Sequence, residues 1–75
     1  MRIISQDNEV DVPYENVVLY ISHLNDESFI IAESPSGTDY HLGRYETLEE
    51  AKKVFDEIYH KWRHGYECAY LGVMK

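Results

Sequence analysis

The chain has 75 residues, a formal net charge of -7 and one cysteine. A chain of this length forms one domain, so we expect a single domain over residues 1–75. The negative charge argues against general binding of DNA or RNA, because affinity for phosphate rests on lysine and arginine. The single Cys68 excludes an intrachain disulfide and favours a reducing, intracellular setting.

The first 40 residues are nearly bare of positive charge. No window approaches the roughly 20 apolar residues that span a bilayer, and the opening residues lack the pattern of a signal peptide. We therefore expect a cytoplasmic protein with no membrane partner. Its acidic surface either meets a basic protein or simply maintains solubility. In this stretch Arg2 stands against eight acidic residues: Asp7, Glu9, Asp11, Glu15, Asp26, Glu27, Glu33 and Asp39.

Two short strands are predicted at the start, Arg2–Ser5 and Val10–Val12. The second alternates apolar and acidic residues, which is typical of a half-buried strand. Asp7 and Asn8 suit a tight turn between them, because both tolerate left-handed backbone. Pro13 has no N–H to donate and marks a strand end or a sheet edge.

A three-stranded meander is predicted next. Asn25 and Asp26 indicate a hairpin turn, and the SPSG sequence at 34–37 indicates a second turn. Gly43 suggests a bulge or a close backbone approach. The predicted strands are Val17–Ile21, Phe29–Ala32 and Tyr40–Tyr45.

The clearest element is a helix from Thr47 to Gly65. Thr47 and Glu50 have the spacing of a capping box, and Gly65 is the expected C-terminal cap. A final strand, Tyr66–Met74, follows. One face of the helix carries an apolar stripe, expected to be buried, at spacings of three and four residues: Leu48, Ala51, Phe55, Ile58 and Trp62.

These elements predict an α+β fold in ββ-βββ-α-β order. We expect a small, mostly antiparallel sheet of about five to six strands, with the helix packed across one face. The other face of the sheet then stays open or pairs with a second copy, so the chain is a candidate for a homodimer or a higher homo-oligomer.

No catalytic or metal-binding set is predicted. Asp56, His60 and His64 recur every four residues, but they lie on the expected solvent face, and zinc needs three or four supported ligands. Cys68 has no local cation or base to activate it and is expected to be inert. We therefore predict a protein that is not an enzyme and holds no cofactor.

Arginine next to aromatic residues is typical of sites in which the guanidinium binds a phosphate and an aromatic ring stacks on a flat base. Two such groups occur, one on the third meander strand and one at the helix end. The alternative is structural: Trp62 in the core, Arg63 and His64 satisfying the last helical carbonyls, and Arg44 paired with an acid. The candidate ligand-binding residues are Arg2, Tyr40, His41, Arg44, Tyr45, Arg63, His64 and Tyr66.

Four segments carry a resemblance: MRIISQD, DVPYENVVLYI, LGRY and TLEEAKKVFDEI. Together they resemble a group of very small, uncharacterised proteins of Firmicutes and their phages and prophages. Asp7-Asn8 stands where that group has Asp-Gly, which leaves the turn intact. The resemblance implies a mobile-element accessory protein, and small acidic proteins in that setting often inhibit host defence.

Two hypotheses follow, and a third is plainer. In the first, the arginine and tyrosine residues bind and sequester a small anionic, nucleotide-derived signal, with a pocket formed across a subunit interface. In the second, the acidic strands mimic nucleic acid or otherwise dock on a basic host protein, in a salt-sensitive complex weakened by reversing Glu9, Asp11, Glu15 or Glu33. The third is a small structural or regulatory subunit.

Overall fold

The computed structural model describes residues 1–72. Its elements follow the predicted order, and the fold is α+β. Within these residues no helix is both long and apolar enough to cross a bilayer. The elements are β1 (Arg2–Ile4), β2 (Asp11–Pro13), a 3-10 turn (Tyr14–Asn16), β3 (Val18–Leu24), β4 (Glu27–Glu33), β5 (Asp39–Tyr45), α1 (Leu48–Arg63) and β6 (Cys68–Tyr70).

The strands form two three-stranded sheets, so the prediction of one continuous sheet was wrong. In the first sheet β1 lies between β2, which is antiparallel, and β6, which is parallel. Both edges of β1 are therefore occupied, and β3, β4 and β5 form a separate antiparallel sheet. The N–H of Gln6, just past β1, donates to the carbonyl of Leu42 on β5 over 2.8 Å, which ties the two sheets together.

The predicted turns are confirmed by their backbone angles. Asn25 and Asp26 have φ of 52° and 61°, as a two-residue hairpin turn of type I′ requires. The turn is so short that pairing continues to Leu24 and Glu27, and β3 and β4 are longer than predicted. Gly37 has a φ of 90° in the second meander turn.

The helix has the predicted caps. Thr47 Oγ1 accepts the N–H of Glu50 at 3.1 Å. At the other end Gly65 has a φ of 78° and donates to the carbonyl of Trp62, while Tyr66 donates to the carbonyl of Lys61. This is a Schellman motif. Because it includes Tyr66, β6 starts later than predicted. It also ends earlier, at Tyr70, and the predicted strand residues 73–74 lie outside the described residues.

The helix packs on one face of the second sheet, but only the middle of its apolar stripe is buried. Ala51 and Ile58 are fully covered, whereas Leu48 is 39% and Trp62 42% exposed. The expectation that Trp62 is a core residue was therefore wrong. The buried cluster is Ile3, Val12, Ile30, Ala32, Leu42, Tyr45, Ala51, Ile58 and Ala69.

Gly43 meets both expectations for its position. The register of β5 against β4 shifts there, which leaves Leu42 as the extra residue of a β-bulge. A Cβ on Gly43 would lie 2.6 Å from the hydroxyl oxygen and 2.8 Å from a ring carbon of Tyr45. The buried Tyr45 ring therefore lies directly against a backbone that has no side chain.

Candidate functional site

Two adjoining clefts form a continuous groove between the two sheets, which we call the acidic groove. One has a volume of about 400 Å³ and the other of about 570 Å³. Asn16, Val17, Ser34 and Pro35 line both of them. The first cleft is completed by Glu9, Val10, Asp11, Val12, Pro13 and Tyr40, and the second by Glu15, Val18 and Glu33.

Carboxylates and apolar residues both line this groove. Residues 9–13 supply both kinds, because acidic and apolar residues alternate there and the β2 segment is an edge strand with side chains on both faces. Valine and proline supply the apolar surface, and four acids supply negative charge. Among residues 1–72, no lysine or arginine lines either cleft.

Two of the four acids already have cationic partners. Arg2 Nε donates to Asp11 Oδ1 at 2.7 Å, with both side chains about half exposed. The terminal amine of Met1 donates to Glu15 at 2.7 and 2.9 Å, and this hydrogen bond lowers the pKa of Glu15. Within residues 1–72, Glu9 and Glu33 form no ion pair. Their charge is therefore available to a ligand.

The charge at one end of the groove is concentrated further. Glu33 lies directly opposite Asp39 in the β4–β5 ladder, an arrangement of like charges that destabilises a sheet. Burial raises the pKa of the nearby Tyr20, and the charges of Asp39 and Glu33 raise it further. A cation bound here would relieve that repulsion.

The arginines proposed as ligand-binding residues are engaged within the chain. Arg2 pairs with Asp11 on the neighbouring strand. Arg44 Nε lies 2.9 Å from Glu27 Oε2, as the structural alternative predicted. Arg63 lies over the ring of Tyr59, with its Cζ 5.8 Å from the ring centroid.

The aromatic and histidine candidates on β5 point to different places. Tyr40 lines the acidic groove. His41 and Arg44 line a separate cleft of about 270 Å³, where His41 meets the ring of Phe29 edge-on. Tyr45 is buried in the core, where its hydroxyl has no hydrogen-bond partner among residues 1–72.

The helix end gathers the remaining candidates. His64 and Tyr66 line a cleft of about 210 Å³ together with His60 and Lys61, and none of the described acidic residues lines it. His64 Nδ1 is 2.7 Å from the carbonyl of His60, so this ring satisfies a helical carbonyl. The eight candidates are thus spread over separate surfaces of the chain rather than brought into one pocket.

Trp62 belongs to an aromatic ladder on the same helix end. Its ring centroid lies 5.4 Å from that of Tyr14 and 6.2 Å from that of Tyr59, each at an interplanar angle of 33°. Burial raises the pKa of Tyr14. These ring contacts pack the 3-10 turn that follows β2 against the last turns of α1.

Metal binding finds no geometric support in the described residues. Among them no three His, Cys, Asp or Glu side chains are placed to hold an ion. Cys68 is half-buried and unpaired on β6, and its interaction with Tyr70 raises the pKa of that tyrosine.

The acidic groove was only half visible in the sequence. Its four acids appear in the protein-binding hypothesis, but their apolar neighbours Pro13, Val17 and Pro35 were not recognised as lining residues. The alternation over residues 9–13 was the available signal. Comparison with known proteins adds nothing to this assignment, since no family model, curated protein or solved structure matches the chain.

Proposed function

We propose that the protein is a non-enzymatic binding protein whose acidic groove receives a basic segment of another protein. The observation that carries this proposal is the lining of the groove. Four carboxylates, from three stretches of the chain, flank a valine- and proline-lined depression whose lining, within the described part of the chain, contains no lysine or arginine. A segment with lysine or arginine side chains between small or apolar ones complements both features.

Electrostatics strengthens the fit to a basic partner. The unpaired Glu9 and Glu33 offer charge without first breaking an intramolecular ion pair, and Glu33 and Asp39 repel each other until a cation arrives. The net charge of -7 adds long-range attraction for a basic protein. The resemblance to phage and prophage proteins makes a bacterial defence protein the natural class of partner, with inhibition as the consequence of docking.

The test is a calorimetric titration with a synthetic peptide of about ten residues that alternates lysine and alanine, beside a glutamate–alanine peptide. We expect heat from the lysine peptide alone. The affinity should fall steeply as salt is raised from about 20 to about 150 mM, because exposed charges are screened beyond roughly 8 Å at the higher concentration.

Two matched variants locate the binding. Glu9→Lys/Glu33→Lys reverses the two unpaired groove acids and should lower the affinity at least tenfold. Asp56→Lys/Glu67→Lys makes the same change in net charge at exposed positions that line none of the described clefts and should lower it far less. Equal losses in the two variants, or no heat with the lysine peptide at low salt, would contradict the proposal.

Sequestration of a small anion is the second candidate, and the helix end is the place that favours it. His60, Lys61, His64 and Tyr66 line a cleft without any carboxylate, so a phosphate would meet nitrogen donors and an aromatic face there. Calorimetry with cyclic nucleotides and ADP-ribose derivatives tests it. Binding that Lys61→Ala abolishes supports this candidate, and the absence of heat with every compound contradicts it.

A further inference from the structure

We infer that the outer edge of β3 pairs with the same edge of a second copy, which makes one sheet continuous across two chains. β3 has a neighbour on one side only, since the strand order of its sheet is β3-β4-β5. Within residues 1–72 its backbone hydrogen-bonds to β4 and to nothing else. An open edge of seven residues is a template for another strand.

The other edge of the same sheet is closed. On β5 the Gln6 N–H donates to the carbonyl of Leu42, and the Gln6 side-chain oxygen accepts the N–H of Arg44, both at 2.8 Å. The bulge at Gly43 and the charges of Asp39 and Arg44 obstruct pairing further. β3 has neither a proline nor a bulge, and histidine, at His23, is its one titratable residue other than tyrosine.

The absence of charge on β3 favours a second copy as its partner. Two molecules that each carry a net charge of -7 repel each other over most of their surfaces. Of the three seven-residue strands, β4 carries Glu27 and Glu33 and β5 carries Asp39 and Arg44, whereas β3 is VLYISHL. Self-pairing along β3 therefore sets no like charges opposite one another.

The hydrogen-bonding groups on the open edge have a self-complementary order. Leu24 and Glu27 close a two-residue hairpin and form a hydrogen-bonded pair, so such pairs alternate along the ladder. The N–H and C=O groups of Leu19, Ile21 and His23 consequently point outward. An antiparallel pairing centred on Ile21 sets Ile21 opposite Ile21 and Leu19 opposite His23, and each of these pairs exchanges two hydrogen bonds.

The same register covers two exposed apolar side chains. Val18 and Leu24, at the ends of β3, are each 62% exposed. Pairing about Ile21 sets Val18 of one copy opposite Leu24 of the other at both ends of the ladder. Leu19 and Ile21, on the opposite face, keep their packing against the core of their own chain. The dimer thus needs no rearrangement of either copy.

The test is the solution mass as a function of concentration, measured by analytical ultracentrifugation. The monomer mass is 8.9 kDa. We expect this mass to double between about 10 µM and about 1 mM, a weak association, because edge pairing buries less than the roughly 1,200 Å² of the smallest standard interfaces. A constant monomer mass up to the highest concentration would overturn the proposal.

Two variants assign a measured dimer to this edge. His23→Pro removes an outward N–H that β4 does not use, and its control His23→Thr retains that N–H. Leu24→Lys sets a charge against Val18 of the second copy while facing Glu27 in its own chain. We expect His23→Pro and Leu24→Lys to weaken association at least tenfold and His23→Thr to keep it. Undiminished association in both disruptive variants, each with native circular dichroism, would show that another surface is used.

Both substituted positions lie at the end of β3 remote from Val18, which also lines the acidic groove. The binding of the lysine–alanine peptide should therefore survive in these variants. Loss of self-association with retained peptide binding separates this inference from the proposed function.

Discussion

The acidic groove and the helix end differ in how their charges are held. The groove is concave, and Glu9 and Glu33 reach it from separate stretches of the chain without a cationic partner among the described residues. At the helix end, Arg63 lies on Tyr59 and His64 meets a helical carbonyl. Both of these side chains therefore already have a partner within the chain. The better candidate for a binding site is therefore the region whose charged side chains have no partner among the described residues.

The largest expected loss of stability comes from a substitution near the contact that joins the two sheets of the groove. Gly43→Ala sets a methyl group less than 3 Å from the buried Tyr45 ring, and overpacking of this kind should lower the free energy of unfolding by about 2–3 kcal/mol. The Gln6–Leu42 link between the sheets lies beside this bulge, so peptide binding should weaken as well. Urea denaturation measures the loss.

Gly37→Ala is the matched control, because a Cβ there meets open space and the strain comes only from its φ of 90°. We expect a loss of about 1 kcal/mol and unchanged peptide binding. Equal destabilisation by the two substitutions would remove the role assigned to the Gly43–Tyr45 contact.

A second substitution tests whether the helix end is structural. Trp62→Ala removes the ring that contacts Tyr14 and Tyr59. Since Trp62 is 42% exposed, we expect a loss of about 1–2 kcal/mol in unfolding free energy, less than for a fully buried tryptophan. Because the ring also holds the 3-10 turn that carries the groove residues Glu15 and Asn16, affinity for the lysine–alanine peptide should fall as well, but by less than in Glu9→Lys/Glu33→Lys. A loss as large as in that variant, in a folded protein, would place the binding site at the helix end instead.

The smallest effect concerns Tyr45, which lies in the core. Its hydroxyl is buried without a partner, so Tyr45→Phe should raise the unfolding free energy by about 0.5–1 kcal/mol at neutral pH. Burial, with a contribution from the charge of Glu57, raises the pKa of Tyr45 above its ordinary value of 10.0.

A raised folded pKa means that the stability from the neutral ring is present below pH 10 and is lost as the pH rises through the folded pKa. The wild-type protein should therefore unfold at a lower alkaline pH than Tyr45→Phe, as followed by circular dichroism. Identical alkaline midpoints would show that this hydroxyl is not shielded as described.

Local signals predicted the elements of the fold well. Thr47 and Gly65 bound the helix, Asn25 and Asp26 form the hairpin turn, and Gly43 lies at a bulge. Each of these features depends on backbone angles or hydrogen bonds within a few residues, which composition and spacing reveal.

Features set by distant pairing were not predicted. The parallel pairing of β6 with β1 joins residues more than 60 positions apart, and it is this pairing that divides the strands into two sheets. Trp62 has the spacing of the buried helix residues. Only the middle of the apolar stripe is covered, however, so Trp62 stays 42% exposed. The groove likewise appears only when Pro35 lies near residues 9–13 in one cleft and Glu33 lies near Glu15 in the other.

The most direct test of the acidic groove is a map of amide chemical shifts during titration of the isotope-labelled protein with the lysine–alanine peptide at low salt. The account predicts the largest shifts at Glu9–Val12, at Asn16–Val18 and at Glu33–Ser34, with small shifts at residues 60–66. Shifts concentrated at residues 60–66, or no shifts at any concentration, would contradict it.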